Sequence, residues 1–238
     1  MVLGPRGHLG ELWLTLLVDS FSRNRFVDGA IAAYAEARST PPDAAQAALR
    51  EATLERAGRS AGMQIGHDQA VFMEILARAM GARHAIEIGT FTGYSALAVV
   101  RGMGPEGRLL CLDVSEEWTS IAREHWALAG VAEQIELRLG PAIDSLRALG
   151  DVAPFDLAFV DADKESYLEY FEELIGRLRP GGLLLADNTL QSGRILDVAD
   201  ERGSTKAMQR FNDAVAADGR VETVLLPLGD GLTVAQRR

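Results

Sequence analysis

The stretch Glu87-Ile88-Gly89-Thr90-Phe91-Thr92-Gly93-Tyr94-Ser95 decides the fold of this chain. A short apolar run ends at Glu87, two glycines follow, and a segment typical of a helix begins at Tyr94. Glycine at the end of a strand lets the backbone turn tightly and approach a ligand closely. The helix that follows would present free backbone N–H groups in its first turn. The stretch therefore predicts a strand, a ligand-binding loop and a helix.

Strands and helices alternate along the rest of the chain. We predict strands over residues 84–89, 108–113, 134–139, 156–161, 182–188, 221–226 and 231–235. The helices between them are predicted over residues 94–103, 117–129, 142–149, 165–178 and 206–217. Repeated strand–helix units indicate a parallel sheet with helices on both faces. The last two strands, joined around Pro227 and Asp230, are expected to be antiparallel.

The N-terminal part is predicted to be helical. Residues 11–37 have a helical pattern that Pro41-Pro42 breaks. Asp43 is a suitable N-cap for a helix over residues 44–57, and residues 67–80 are apolar at helical spacing. The apolar segment Leu12–Val18 is too short to cross a bilayer, and we interpret it as a packing or dimer-contact element. We therefore expect a cytoplasmic protein.

Composition excludes several classes of protein. The 238 residues are 47% hydrophobic and 24% charged, which is ordinary for a globular chain, and they fit one α/β domain with an extension. The formal net charge of −10 disfavours nucleic acid as a partner because phosphates carry the same sign. The single cysteine, Cys111, excludes an internal disulfide, and its apolar surroundings predict a buried thiol.

The spacing of the glycines narrows the choice of cofactor. A pyrophosphate-binding loop has its second glycine two residues after the first, and here that position is Phe91. The pattern E-x-G-x-x-x-G instead resembles the loop that binds the amino-acid end of S-adenosylmethionine. Asp113 ends the next strand, 20 residues beyond Gly93, where an acidic residue accepts both ribose hydroxyls. Three alternatives stay open at this point: an NAD(P) enzyme, a purely structural turn, and helix capping by Asp113.

Polar side chains follow two further predicted strands. The fourth strand ends in Val160-Asp161-Ala162-Asp163-Lys164 and the fifth in Asp187-Asn188. If the two strands are neighbours, Asp161, Asp187 and Asn188 meet at the carboxyl edge of the sheet, where ligands bind. Their oxygen atoms suit Mg²⁺, with Mn²⁺ or Ca²⁺ as alternatives. Lys164 would share the pocket, and a neighbouring dication would lower its pKa toward that of a general base.

These motifs resemble those of the caffeoyl-CoA and catechol O-methyltransferases. The resemblance extends over roughly residues 40–238 and also includes Gly140-Pro-Ala142, Tyr167, Asp187-Asn188-Thr189-Leu190 and Leu226-Pro-Leu-Gly-Asp-Gly231. It implies a Rossmann-like class I methyltransferase fold with a seven-stranded, mostly parallel sheet and an antiparallel closing strand. We expect a helical extension over residues 1–40 and a methyltransferase domain over residues 41–238, and the resemblance also points to a homodimer.

The resemblance also implies roles for individual residues. Lys164 would be the catalytic base, beside Asp161, and the metal ligands would be Asp161, Asp187 and Asn188. Contacts with S-adenosylmethionine would come from Met63, Ile65, Glu87, Gly89, Thr90, Ser95, Asp113, Ala142, Asp163 and Tyr170.

Three departures from the family pattern bear on the substrate. Gln191 stands where many relatives carry an aromatic residue, and His67 where relatives often have proline or glutamate; we expect His67 to be a helix-start or surface residue. The loop over residues 192–203 is short and has no obvious set of contacts for coenzyme A. We therefore expect a small catechol-like substrate, with a hydroxylated RNA base or another non-catechol as the alternative. A catalytically silent binding protein would be expected to lack some of the metal and base residues, and none is missing.

Overall fold

The computed structural model describes residues 26–150 and 154–238. The predicted segment Leu12–Val18 lies outside these ranges, so its role and the domain boundary at residue 40 stay predictions. The helices are α1 Gly29–Glu36, α2 Ala44–Ala57, α3 His67–Ala79, α4 Tyr94–Met103, α5 Glu116–Leu128, α6 Ala142–Arg147, α7 Tyr167–Ile175 and α8 Gly203–Ala217. The strands are β1 His84–Ile88, β2 Arg108–Asp113, β3 Ile135–Leu139, β4 Phe155–Val160, β5 Leu178–Ala186, β6 Val221–Leu226 and β7 Leu232–Arg237.

The seven strands form one sheet in the order β3-β2-β1-β4-β5-β7-β6. Strands β1 to β5 are parallel, and β7 runs antiparallel to both β5 and β6. The predicted class I methyltransferase fold is thus confirmed, including the antiparallel closing strand. Because chain order reverses on either side of β1, the carboxyl ends of β1 and β4 flank a crevice that can take a ligand.

The sheet is covered by apolar side chains on both faces. One core includes Leu97, Leu109 and Trp126, and the other includes Ile86, Phe171 and Met208. Along β1, alternate residues contribute to opposite cores, as the period of two of a strand requires. Burial on both faces makes the sheet a rigid support for the loops at its edge.

Most predicted elements agree with the structure. The helix predicted over residues 11–37 does not continue through residues 26–28, since Asp28 caps a helix that begins at Gly29, and among the strands β5 differs most. It begins at Leu178, whereas the sequence predicted residue 182, because Pro180 and Gly181 obscure the strand pattern. The register with β4 shifts there, from Phe155 opposite Leu178 to Leu157 opposite Leu183. An irregularity of this kind lets a strand accommodate residues that interrupt the hydrogen-bonded ladder.

Helix α1 differs from the others because none of its residues is buried. Asp28 caps it by accepting a hydrogen bond from the backbone N–H of Ala30 at 2.9 Å. Ile31 and Tyr34 remain 60% and 61% exposed, so among the described residues little covers this apolar face of the helix. Helix α2, in contrast, begins with the predicted cap, since Asp43 and Gln46 form a reciprocal capping box. No helix in the described ranges is long and apolar enough to cross a membrane.

Candidate active site

A cavity of about 880 Å³ lies at the carboxyl ends of the parallel strands. The glycine loop after β1 contributes the middle of its wall, the ends of β2 and β3 one side, and the ends of β4 and β5 the other. The sequence-predicted residues in this wall are Met63, Ile65, Gly89, Thr90, Ser95, Asp113, Ala142, Asp161, Asp163, Lys164, Tyr170 and Asn188. The fold therefore brings together residues that lie up to 125 positions apart in the chain.

Two predicted residues, Glu87 and Asp187, are buried outside the cavity wall, with 0% and 1% exposure. Both follow from strand geometry, since Glu87 lies inside β1 and Asp187 directly follows β5. The cofactor contact predicted for Glu87 and the metal contact predicted for Asp187 therefore stay predictions, since neither residue is part of the cavity wall.

The two glycines of the loop are required by close packing as well as by backbone conformation. Both have positive φ, 87° at Gly89 and 83° at Gly93. A Cβ atom at Gly89 would collide with the backbone carbonyl oxygen of Asp161. A Cβ at Gly93 would lie 2.6 Å from Nε1 of Trp126, whose indole N–H donates to the Gly93 carbonyl at 3.1 Å. Any other residue at either position would push the loop out of place.

Asp113 holds the glycine loop in its shape. One carboxylate oxygen accepts hydrogen bonds from the backbone N–H groups of Thr90 at 2.8 Å and Phe91 at 2.9 Å. The other accepts from the backbone N–H of Ser115 at 2.7 Å. Phe91 has a φ of 50°, a conformation that a residue with a side chain rarely adopts without such support. Ser115, not Asp113, caps α5, so the capping alternative for Asp113 is wrong. Each oxygen keeps a lone pair that could accept from a ribose hydroxyl.

Glu87 is a buried carboxyl group beneath the loop. The thiol of Cys111, buried as predicted, donates to its Oε1 at 3.8 Å. Its Oε2 has no hydrogen-bond partner among the described residues. Burial raises the pKa of Glu87 to about 8, and the charges of Asp161 and Asp113 contribute to the increase. Glu87 is therefore not a solvated carboxylate at the end of its strand.

The predicted metal ligands are placed at adjacent strand ends. Strands β4 and β5 are neighbours, as the prediction required. Asp187 Oδ2 accepts from the side-chain Nε2 of Gln69 at 2.9 Å, and its Oδ1 accepts from the backbone N–H of Asn188 at 2.7 Å. Burial, and then the charge of Asp161, raises the pKa of Asp187 to about 7. The two carboxylates are thus close enough to repel one another.

The donor set is made of oxygen atoms only. In the two described ranges, no three or more His, Cys, Asp or Glu side chains are grouped so as to hold a metal. The predicted set consists of two carboxylates and the amide of Asn188, which suits a hard divalent cation better than a transition metal that prefers nitrogen or sulfur.

Two hydrogen bonds restrain the side chain of Lys164 in this corner of the cavity. Its Nζ donates to Asp161 Oδ1 at 2.9 Å and to the hydroxyl oxygen of Tyr167 at 2.6 Å. Burial alone would lower the pKa of Lys164, but Tyr167 and Asp161 together outweigh it and raise that pKa above its ordinary value. The predicted lowering of the Lys164 pKa depends on a bound dication, so it stays a prediction, and these contacts describe the lysine with its protein neighbours alone.

The sequence did not predict several residues of the cavity wall. Trp118, in the first turn of α5, lines the wall with its ring 5.5 Å from that of Phe91. Gln64 also lines the wall, 3% exposed, although only its neighbours Met63 and Ile65 were predicted to bind the cofactor. Asp230 completes the wall and accepts from the backbone N–H of Ser192 at 2.5 Å. The position of Trp118, five residues after Asp113, was the one available signal for it.

Two of the three departures from the family pattern, Gln191 and His67, have different outcomes. Gln191 lines the cavity and is held within its own loop, since Nε2 donates to the Asn188 carbonyl at 3.0 Å and Oε1 accepts from Arg194 at 3.0 Å. His67 begins α3, which meets the expectation of a helix-start or surface residue, and it is buried rather than at the surface. Its two ring nitrogens lie 2.8 Å from the Tyr94 hydroxyl and 2.8 Å from the Thr40 carbonyl.

Comparison with known proteins agrees with this geometry. A model of the family described as O-methyltransferase matches residues 36–238. A caffeoyl-CoA O-methyltransferase of Eucalyptus globulus is 37% identical over 184 residues, which is 74% of this chain and 75% of that protein. The mouse catechol O-methyltransferase domain-containing protein 1 is 38% identical over 205 residues, 85% of this chain and 78% of that protein. This chain therefore belongs to the O-methyltransferase family.

A solved structure supports the same assignment. The O-methyltransferase of Bacillus cereus in complex with S-adenosylhomocysteine has a TM-score of 0.81 and 28% identity, with 93% of this chain and all of that chain covered. The resemblance to the caffeoyl-CoA and catechol enzymes, and the prediction that the chain is an O-methyltransferase, are both confirmed.

Proposed function

We propose that this enzyme transfers a methyl group from S-adenosylmethionine to a hydroxyl group of a small catechol-like aromatic substrate, with the help of a divalent cation. One observation carries the proposal: the glycine loop and Asp113 share one cavity with Asp161, Lys164 and Asn188. A methyl donor bound along the loop would thus end beside the oxygen-rich corner. A cavity of about 880 Å³ falls within the range of ligand pockets and has room for a cofactor and a small second molecule.

The loop and its surroundings fit S-adenosylmethionine. Asp113 can accept from a ribose, and the apolar groups of Trp118, Pro141 and Ile143 line the same end of the cavity, where an adenine ring can pack. The relative from Bacillus cereus contains S-adenosylhomocysteine, the product of such a donor.

The acidic corner fits a divalent cation, with Mg²⁺ favoured over Mn²⁺ and Ca²⁺. Asp161 and Asp187 repel one another, and a cation between them would remove that repulsion. Among the described residues the side-chain amide of Asn188 has no hydrogen-bond partner, so its oxygen is available as the third ligand. A bound cation would hold two adjacent substrate oxygens and lower the pKa of the attacking hydroxyl.

In the proposed reaction the substrate oxygen attacks the methyl carbon, the bond between that carbon and sulfur breaks, and Lys164 takes the hydroxyl proton. Lys164 lines the cavity and is held by Asp161 and Tyr167, so its position is well defined. Much of the rate would come from holding donor and acceptor in near-attack geometry, which can contribute roughly 7–11 kcal/mol.

The loop after β5 favours a small substrate without phosphate groups. Arg202 forms an ion pair with Asp200 at 2.9 Å, and Arg194 lies 3.8 Å from the same carboxylate. Both arginine side chains thus interact with Asp200 within the loop. A coenzyme A ester that bound through these arginines would compete with Asp200 for both side chains.

The direct test is a methyl-transfer screen with S-adenosylmethionine over a catechol, the matched monophenol and RNA, each with and without chelator. We expect turnover of the catechol alone and its loss after exhaustive chelation, restored by Mg²⁺. Equal rates with the monophenol would refute the chelating substrate, and full activity after chelation would refute the cation. Turnover of RNA would favour the alternative substrate class.

We also propose that the enzyme is a homodimer. The support is the uncovered apolar face of α1, with Ile31 and Tyr34 more than half exposed. Two-fold dimers are the commonest oligomers and would bury such a face. Light scattering at micromolar concentration should give twice the chain mass of 25.7 kDa, and the monomer mass would contradict the proposal.

A further inference from the structure

Gln64 presents an unexplained polar group to the cavity. It follows the short 3₁₀ segment Gly58–Met63 and precedes α3, in an extended conformation with φ −65° and ψ 137°. Its side chain is 3% exposed, and in the part of the chain that the structure describes neither Oε1 nor Nε2 has a hydrogen-bond partner. A buried amide without partners destabilises a fold, so its presence in a cavity wall points to a ligand that supplies them.

Two other buried oxygens near the glycine loop lack partners as well. They are Oε2 of Glu87, inside β1, and Oγ1 of Thr90, which is 2% exposed and lines the same cavity. The opposite end, beyond Asp113, is lined by the largely apolar groups of Val114, Trp118 and Pro141. Two of these three groups thus belong to the glycine loop and its strand, and Gln64 lines the same cavity.

The glycine loop is in contact with the end of β4, because the backbone of Gly89 touches the carbonyl of Asp161. The loop thus lies between the apolar end and the acidic corner. For a donor whose ribose is at Asp113 and whose methyl group faces Lys164, this middle region receives the amino-acid group. That group carries one ammonium, which donates, and one carboxylate, which accepts.

We propose that Gln64 binds the α-amino-acid group of S-adenosylmethionine, with Nε2 donating to the carboxylate and Oε1 accepting from the ammonium. A neutral carboxamide matches a zwitterion because it has one donor group and one acceptor and adds no net charge. This inference rests on the proposed cofactor and adds one residue to its binding site. Gln64 would orient the methyl donor through the end that does not react.

The test compares two ligands that differ only at this end. S-adenosylhomocysteine carries the amino-acid group, whereas 5′-methylthioadenosine has the same nucleoside and thioether sulfur without it. Affinities of both are measured by calorimetry on the full chain, as wild type, Gln64→Leu and Gln64→Asn. We expect Gln64→Leu to weaken the binding of S-adenosylhomocysteine about 10-fold or more, since hydrogen bonds to a charged group are lost. Methylthioadenosine should bind within about twofold of wild type.

Stability of the ligand-free protein gives a second readout. Leucine replaces an unsatisfied buried amide by an apolar group of similar size, so Gln64→Leu should melt at the same temperature as wild type or higher. Gln64→Asn, which keeps the amide but is shorter, should also lose affinity for S-adenosylhomocysteine alone. A merely structural role would instead lower the melting temperature and weaken both ligands alike.

Each outcome decides between the claims. Equal weakening of both ligands, or unchanged affinity for S-adenosylhomocysteine in the two variants, overturns the role of Gln64 while the cofactor assignment stands. Failure of the wild-type protein to bind S-adenosylhomocysteine overturns the proposed cofactor and this inference with it.

Discussion

Replacing Asp113 by alanine separates two functions that the sequence did not distinguish. The sequence assigns Asp113 to the ribose, and on that basis the variant would lose affinity while the fold is spared. In the structure the same carboxylate also accepts three backbone hydrogen bonds, from Thr90, Phe91 and Ser115. The variant should therefore lose the shape of the glycine loop in addition to any ribose contact.

The magnitude follows from the bonds that are lost. Hydrogen bonds to a charged acceptor contribute about 1.5–3 kcal/mol each, and the lower value applies here because Asp113 is partly exposed and water can replace it. The two bonds to the loop then amount to about 3 kcal/mol. Since a tenfold change in affinity corresponds to about 1.4 kcal/mol, the dissociation constant for S-adenosylhomocysteine should rise about 100-fold from loop disorder alone. The melting temperature should fall by roughly 6–12 °C, at about 2–4 °C per kcal/mol for a domain of this size.

Asp156 provides a matched control at the opposite edge of the sheet. Its carboxylate accepts from the backbone N–H groups of Arg83 at 2.7 Å and His84 at 2.9 Å and pairs with Arg179 at 2.6 Å. Asp156→Ala should lower the melting temperature by a similar amount and leave the affinity for S-adenosylhomocysteine within about twofold. Calorimetry and thermal melts on both variants complete the test. Wild-type affinity in Asp113→Ala, or an equal loss in Asp156→Ala, would refute the reasoning.

Three further predictions concern the buried charges. Lys164→Met should lower kcat strongly with little change in cofactor affinity, and Lys164→Arg should not restore it, because arginine keeps the charge beside Asp161 but cannot accept a proton. Steady-state kinetics of both variants check this, and recovery of kcat by arginine would make the lysine a structural charge. Glu87→Gln should flatten the pH dependence of the free energy of unfolding. The folded pKa of Glu87, about 8, exceeds the ordinary 4.5, so the stabilisation by its protonated carboxyl is complete below pH 4.5 and is lost as pH rises through 8, at up to about 1.4 kcal/mol per pH unit. Unfolding free energies from urea titrations that stay parallel for wild type and variant from pH 4.5 to 9 would contradict this. Gln69→Leu should weaken Mn²⁺ binding about 10- to 100-fold by releasing the Asp187 carboxylate, while the affinity for S-adenosylhomocysteine is unchanged. An unaltered Mn²⁺ titration would show that Gln69 does not orient Asp187.

The sequence by itself determined the order of the elements and the composition of the site. The bounds of α2, α4, β2 and β6 follow from local pattern, since a period of two or 3.6 residues is set by each segment alone. The polar residues at the ends of β4 and β5 could be assigned to one edge because parallel strands end at the same side of a sheet.

The tertiary structure decided which of these groups touch and how they ionise. Gln69 reaches Asp187 across 118 residues, and His67 reaches Tyr94 across 27, in contacts that no repeating pattern specifies. Gln64 proved to be a buried, unsatisfied amide, and within the protein Tyr167 and Asp161 raise the pKa of Lys164. Periodicity is a local property of the chain. Burial, the pairing of distant side chains and the balance of desolvation against nearby charge exist only once the segments have packed against one another.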